Sequence, residues 1–209
     1  IRDCLLYRGL GDVYKRQVIG DRVSAGTFLA AIFSTRGSGK VIGINPEHLP
    51  MEIKKFKEMG AIIDLKEDSI SIEYDEGINS IELATLPFPG VATDLQPIFG
   101  SALLQAEGTS ILTENVYDQR FQWIPEVQRM GANIQTGWQH AMIKGVRNLS
   151  GAPVQATDIR TGASLIIAAL QADGISSISG VDHINRGYEN IVDSLSLLGS
   201  TIEYTNNYE

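Results

Sequence analysis

Apolar and polar positions fall into a succession that this chain writes three times. From Gly26 the run GTFLAAIFSTRG is mostly apolar, KVIGIN from Lys40 reads as a strand, and Pro50 opens a helix. That helix closes at Met59-Gly60-Ala61, and AIIDL returns as a strand. Downstream, an apolar segment from Leu95 to Gln105 is closed by Gly108, and a β-like run, TSILTEN, starts at Thr109. An amphipathic helix with Ile124, Val127 and Met130 on one face follows, then Gly131 and the strand-like ANIQT. The third round has an apolar segment from Ile159 to Gln171, Gly174, and ISSISGVD from Ile175. Its helix carries Tyr188, Ile191, Val192, Leu195 and Leu198 on one face, and Gly199 and the β-like STIEYT end it. The closing glycines Gly60, Gly131 and Gly199 stand 71 and 68 residues apart, too far for a usual solenoid period. The expectation is three supersecondary units, about 24–85, 86–148 and 149–209, sharing one core in a single domain over 18–209. Helices alternating with strands make the fold class α/β.

Within that frame the triplet Ala-Thr-Asp occurs twice, in VATDLQP from Val91 and in PVQATDIRTGAS from Pro153. Asp94 and Asp158 are 64 residues apart, and each stands where a strand ends and a helix begins. Asp or Thr there caps the orphan amides of the first helical turn, and Pro97 suits a first-turn position. Capping is one expectation for both aspartates. Their polar neighbours suggest another. ENVYDQRF and DHINRGYEN place Arg120 and Arg186 where helices are expected to begin, and Arg160 follows Asp158. An arginine opposes the dipole at a helix N-terminus, which makes sense if an anion is to sit there between amides and guanidinium. The alternative is surface arginines paired with Asp118, Asp182 or Glu189.

The charge balance leaves both readings open. A net charge of −8 and a pI near 4.9 exclude a basic nucleic-acid groove, but a few arginines can still make a local positive pocket. One cysteine, Cys4, allows neither an internal disulfide nor a zinc pattern and fits a reducing cytosol. No apolar run approaches the ~18 residues of a membrane span. The first 17 residues, IRDCLLYRGLGDVYKRQ, show no periodicity and read as a non-native or disordered lead-in. His48, His140 and His183 lack metal-ligand spacing. GxGxxG and P-loop patterns are absent, and GSGK from Gly37 reads as a turn. Trp123 and Trp138 are expected in core or edge packing.

DRVSAGTFL from Asp21, ATDLQP from Ala92, AEGTSILTENVYDQRF from Ala106, LSGAPVQATDIRTGASL from Leu149 and HINRGYENIVDSLSLLGSTIE from His183 carry a resemblance. Together, over about residues 18–209, they resemble the C-terminal half of the UDP-N-acetylglucosamine 1-carboxyvinyltransferases, a family of enolpyruvyl transferases. The resemblance implies the inside-out α/β barrel, two domains of three repeated units closing on substrates, with one domain present here. It implies transfer of the enolpyruvyl group of phosphoenolpyruvate to the 3′-hydroxyl of UDP-N-acetylglucosamine with release of phosphate, a step of peptidoglycan synthesis in the cytoplasm. No cofactor, metal, nucleic acid or membrane is implied. By the same resemblance Asp94 binds the sugar hydroxyl and is the candidate base. Asp158 and Arg160 form an Asp-x-Arg pair at the site, and Arg186 closes on phosphoenolpyruvate. Arg120 lies near the cleft, and the backbone around Val116 touches the uridine nucleotide. The partner is the N-terminal domain of the same enzyme, with a Lys-Asn pair and a loop Cys or Asp. Cys4 shares none of that loop's context, and Asn185 stands where relatives are expected to carry Asp. The chain is therefore expected to be inactive alone. The rival readings are a 5-enolpyruvylshikimate-3-phosphate synthase-like enzyme, a non-catalytic nucleotide-sugar binding module, and an interaction domain without a ligand.

Overall fold

The computed structural model describes residues 18–205; the expected lead-in, with Cys4, lies outside the described residues. The chain begins with α1 (Arg22–Ser34), β1 (Ser38–Ile42), α2 (Pro50–Glu58), β2 (Ile62–Lys66), β3 (Ser69–Glu73) and β4 (Glu82–Ala84). It continues with α3 (Gln96–Ala102), β5 (Thr109–Thr113), α4 (Ile124–Arg129), β6 (Asn133–Gly137), β7 (His140–Lys144), β8 (Leu149–Ser150) and β9 (Pro153–Gln155). Then come α5 (Ile159–Gln171), β10 (Ala172–Asp173), β11 (Ser177–Ser179), α6 (Val181–Asn185) and α7 (Ile191–Leu197).

The helices α1, α3 and α5 offer little polar face, and a helix apolar all round is stable only when surrounded. All seven residues of α3 are buried, as is α5 from Thr161 to Ala168. The three pack on one another at the centre, and the sheets lie outside them, an inside-out α/β arrangement. Small residues permit the close approach. A Cβ on Gly100 would stand 2.4 Å from the Trp123 ring, and one on Gly26 would stand 2.8 Å from Leu95.

One outer sheet has the order β1-β3-β2 and another β4-β5-β7-β6. Their apolar residues alternate inward, as Ala141 and Ile143 do along β7. Two short parallel pairs, β8 with β10 and β9 with β11, make the third side. β4 also pairs in parallel with β5, setting Leu83 opposite Leu112. Helices α3 and α5 thus start beyond the ends of parallel strands β4 and β9, and those helix starts are the natural place for a site.

Gly60, Gly131 and Gly199 all have positive φ, at 102°, 95° and 96°, as helix-closing residues should. The third unit departs from expectation in two respects. Its single amphipathic helix is two short ones, α6 and α7, broken by a turn and by Asn190 in the left-handed region. Tyr188 lies in that break and is buried with Ile191 and Leu195, whereas Leu198 is half exposed. STIEYT is not a strand. β2 and β6 each pair with the return strand of a hairpin, β3 or β7, and no such return strand exists for STIEYT among the described residues. Of the two tryptophans, Trp123 is core. Trp138 is fully exposed at the β6–β7 hairpin tip, with φ at 53°, which corrects the expectation of packing.

Candidate active site

The two Ala-Thr-Asp copies build different junctions. Asp158 is the N-cap of α5: one carboxylate oxygen accepts the amides of Arg160 at 2.8 Å and Thr161 at 3.1 Å. The other accepts the Thr161 hydroxyl at 2.5 Å. Burial pushes its carboxyl up, but the hydroxyl and amide donors, with the Arg120 charge, outweigh burial and hold it below the usual carboxylate range. A lowered folded-state value stabilises the fold above the unfolded value and is lost as pH falls through the folded one. Asp158→Asn keeps a capping oxygen but removes the negative charge at the helix start, and is therefore expected to cost up to about 1 kcal/mol near neutral pH. In urea unfolding the gap to wild type should close as pH drops below about 4. A gap independent of pH would deny the carboxylate this role.

Asp94 caps nothing. It lies inside a 3-10 turn, Thr93–Leu95, whose capping position is Ala92, while Leu95 occupies the cap of α3. Its carboxylate is free for charge. One oxygen takes Arg120 Nη2 at 2.9 Å and the other Arg160 Nη2 at 3.1 Å. Both guanidiniums are mostly buried, and the Asp94 side chain keeps 37% exposure. Arg120 also donates from Nε to the Thr93 hydroxyl at 3.2 Å, and its guanidinium lies 4.7 Å from the Tyr117 ring centre. Arg160 donates from Nη1 to the Tyr188 hydroxyl at 3.3 Å. Burial works against the Arg160 charge, but Tyr188 and Asp94 outweigh it, so the guanidinium is held more firmly protonated than usual. With Asp158 at the same cavity, two guanidiniums meet two carboxylates, and the formal charges balance. Arg120 Nη1 and Arg160 Nε have no partner among the described residues.

A cavity of about 240 Å³ opens beside this cluster, lined by Pro97, Tyr117, Arg120, Asp158 and Thr161 with Gln119 and Gln122. It gathers the starts of α3 and α5 and the turn before α4. A larger opening of about 420 Å³, at Glu114, Asp118, Trp138, Gln139 and His140, holds none of the expected site residues. Of those residues, the structure brings Asp94, Asp158, Arg120 and Arg160 together. Val116 lies in the adjoining loop, half exposed, and its amide donates inward to Glu114 Oε1 at 2.9 Å. The same oxygen accepts the Tyr117 amide at 3.0 Å and the Thr85 hydroxyl at 2.6 Å, which fixes the loop. Arg186 is exposed and joins no ion pair among the described residues. It caps the C-terminus of α6 rather than starting a helix, a correction that follows from the break in the third-unit helix. His48, His140 and His183 form no cluster able to hold a metal among the described residues.

Thr93, Thr27, Tyr188 and Glu52 were not among the expected site residues. Glu52 is fully buried on α2, and its Oε1 accepts the Ala92 amide at 3.4 Å, directly before the Asp94 turn. Burial raises its carboxyl above the usual range, against the opposing pull of backbone donors and Arg22. The signal was available. A carboxyl four residues before Phe56 on a helix, or a hydroxyl among aliphatic neighbours, needs a partner once buried.

Solved structures share this arrangement. The enolpyruvyl transferase NikO from Streptomyces tendae matches with a TM-score of 0.80 at 24% identity, over 89% of this chain and 44% of that one. EPSP synthase from Acinetobacter baumannii matches at 0.74 and 22% identity, over 90% of this chain and 47% of that one. These likenesses show the fold. The sequence pattern described as EPSP synthase (3-phosphoshikimate 1-carboxyvinyltransferase) matches residues 7–195, and the chain belongs to that family. Among curated relatives, the UDP-N-acetylglucosamine 1-carboxyvinyltransferase of Thermotoga maritima is 46% identical over 187 residues, covering 90% of this chain and 44% of the relative. The protein of the same name from Mycolicibacterium paratuberculosis is 42% identical over 189 residues, covering 90% and 45%. The chain thus spans under half the length of the curated relatives it matches. No helix among the described residues is long and apolar enough to cross a membrane.

Proposed function

We propose that this chain forms one wall of the active site of a UDP-N-acetylglucosamine 1-carboxyvinyltransferase, acting in the cytoplasm on the path to peptidoglycan and cell-wall biogenesis. The observation that carries the reading is the Asp94 carboxylate spanning Arg120 and Arg160 beside a polar cavity. A carboxylate oxygen has two lone pairs, so each Asp94 oxygen keeps one after its guanidinium contact. The exposed side of Asp94 can accept the proton of the sugar 3′-hydroxyl as that oxygen bonds to C2 of phosphoenolpyruvate. The free N–H groups of Arg120 and Arg160 face the charge of the phosphate and carboxylate. Arg186, exposed at the end of α6, is free to swing onto the same anion. Asp158 acts here by fixing the start of α5, and so Arg160. Val116 offers its carbonyl and side chain to the nucleotide, its amide being engaged. The second wall, with the group that protonates C3, comes from an N-terminal domain such as the longer relatives have room for. The half-exposed Leu86, Phe88, Val116 and Tyr117 give this face an apolar rim suited to that contact.

The test is a chimera in which this chain replaces the matching residues of the Thermotoga maritima relative. It is expected to release phosphate from phosphoenolpyruvate only when UDP-N-acetylglucosamine is present, whereas the 209-residue chain alone releases none. Release on 3-phosphoshikimate instead would assign the sister reaction. Release by the isolated chain would show that no second wall is needed.

A further inference from the structure

Tyr188 is 3% exposed and sits in the break between α6 and α7, yet it touches residues on two other helices, one of them in the first unit. Its hydroxyl lies 2.8 Å from the Thr27 hydroxyl on α1 and 3.3 Å from Arg160 Nη1 on α5. The Arg160 guanidinium also lies 5.8 Å from the centre of the Tyr188 ring. The direction of the chain of bonds is fixed by donor count. The Thr27 O–H donates to the Val23 carbonyl at 2.9 Å, and a carbonyl can only accept. Thr27 must therefore accept from Tyr188, and the lone pairs of the Tyr188 oxygen receive the Arg160 N–H. Proton donation runs one way, from Arg160 through Tyr188 and Thr27 into the backbone of α1. The far side of the same guanidinium holds Asp94.

We propose that Tyr188, aligned by Thr27, is a positioning residue that locks the Arg160 guanidinium across Asp94 at the margin of the cavity and keeps its Nε–H available to an anionic group bound there. This rests on the reading of the cavity as a phosphoenolpyruvate site. Without the Tyr188 hydroxyl, Arg160 keeps one anchor and rotates. Without the Thr27 hydroxyl, the Tyr188 O–H has no buried acceptor and competes for other partners.

Two measurements on the 209-residue chain test this. The first is the NMR signal of the Arg160 Nε–H, assigned by its loss in Arg160→Lys. Wild type and Thr27→Ser, which keeps the hydroxyl, should show a sharp signal protected from exchange. Tyr188→Phe and Thr27→Val should broaden it and speed its exchange. An unchanged signal in Tyr188→Phe overturns the proposal whether or not any anion binds. The second is calorimetric titration with phosphoenolpyruvate, where Tyr188→Phe and Thr27→Val should each weaken binding about tenfold. In an Arg160→Ala background Tyr188→Phe should have no further effect. An equal loss in that background would mean that Tyr188 acts on the fold and not through Arg160. A wild-type chain that binds no phosphoenolpyruvate counts against the proposed function, and the NMR signal still decides the role of Tyr188.

Discussion

Asp94→Asn is expected to slow phosphate release in the chimeric enzyme by about 10²–10⁴-fold, the range for loss of a general base. The substitution keeps shape and one acceptor but removes the charge that both guanidiniums share and the site that receives the hydroxyl proton. Because the 3-10 turn has no cap bond from Asp94, the variant should retain its fold by circular dichroism. Steady-state rates with both substrates check the result. A variant within a few-fold of wild type would show that Asp94 only anchors Arg120 and Arg160. Asp158 provides the internal contrast: it shares the motif but works through the backbone, so its substitution acts mainly on stability.

Trp123→Ala should be the most damaging change to the core. The indole is fully buried, its six-membered ring packs close against Gly100 on α3, and its Nε1 donates to Gln96 at 3.2 Å. Truncation leaves a cavity and costs about 3–5 kcal/mol. It also strands the Gln96 amide oxygen in the core, beside an amide nitrogen that already lacks a partner among the described residues. Set against a typical domain stability of about 5–15 kcal/mol, that loss is a large share of the whole. Urea unfolding followed by far-ultraviolet circular dichroism reads it. A loss under about 1 kcal/mol would mean that the site collapses around the gap.

Much of the fold was legible because its signals are local. The apolar segment Ile159–Gln171 is α5, Pro50 opens α2, and the glycines at 60, 131 and 199 close helices through their positive φ. What was not legible depends on neighbours remote in sequence. STIEYT has the composition of a strand, but a strand forms only where another pairs with it. Tyr188 keeps helical spacing with Ile191 and Leu195, yet its hydroxyl is drawn to Thr27 and Arg160, outside the helix. The two Ala-Thr-Asp copies look alike until the turn is seen. At Asp158 the helix begins on the next residue, so the carboxylate reaches its amides; at Asp94 a 3-10 turn intervenes, and the carboxylate faces two arginines instead. The arginines themselves were visible as a set, but only three dimensions separate Arg120 and Arg160, which share Asp94, from Arg186, which stands apart.

The placement of the two tryptophans gives this chain a pair of optical reporters that need no labelling. Trp123, sealed among aliphatic side chains, should emit toward the blue and resist a collisional quencher such as iodide. Trp138, standing in water at the hairpin tip, should emit toward the red and be quenched freely. Emission split by quenching thus separates events in the core from events at the sheet edge within one sample. Because Trp138 lies on the loop cluster that carries Val116 and Tyr117, its quenching also offers a direct view of whether a second domain covers that face.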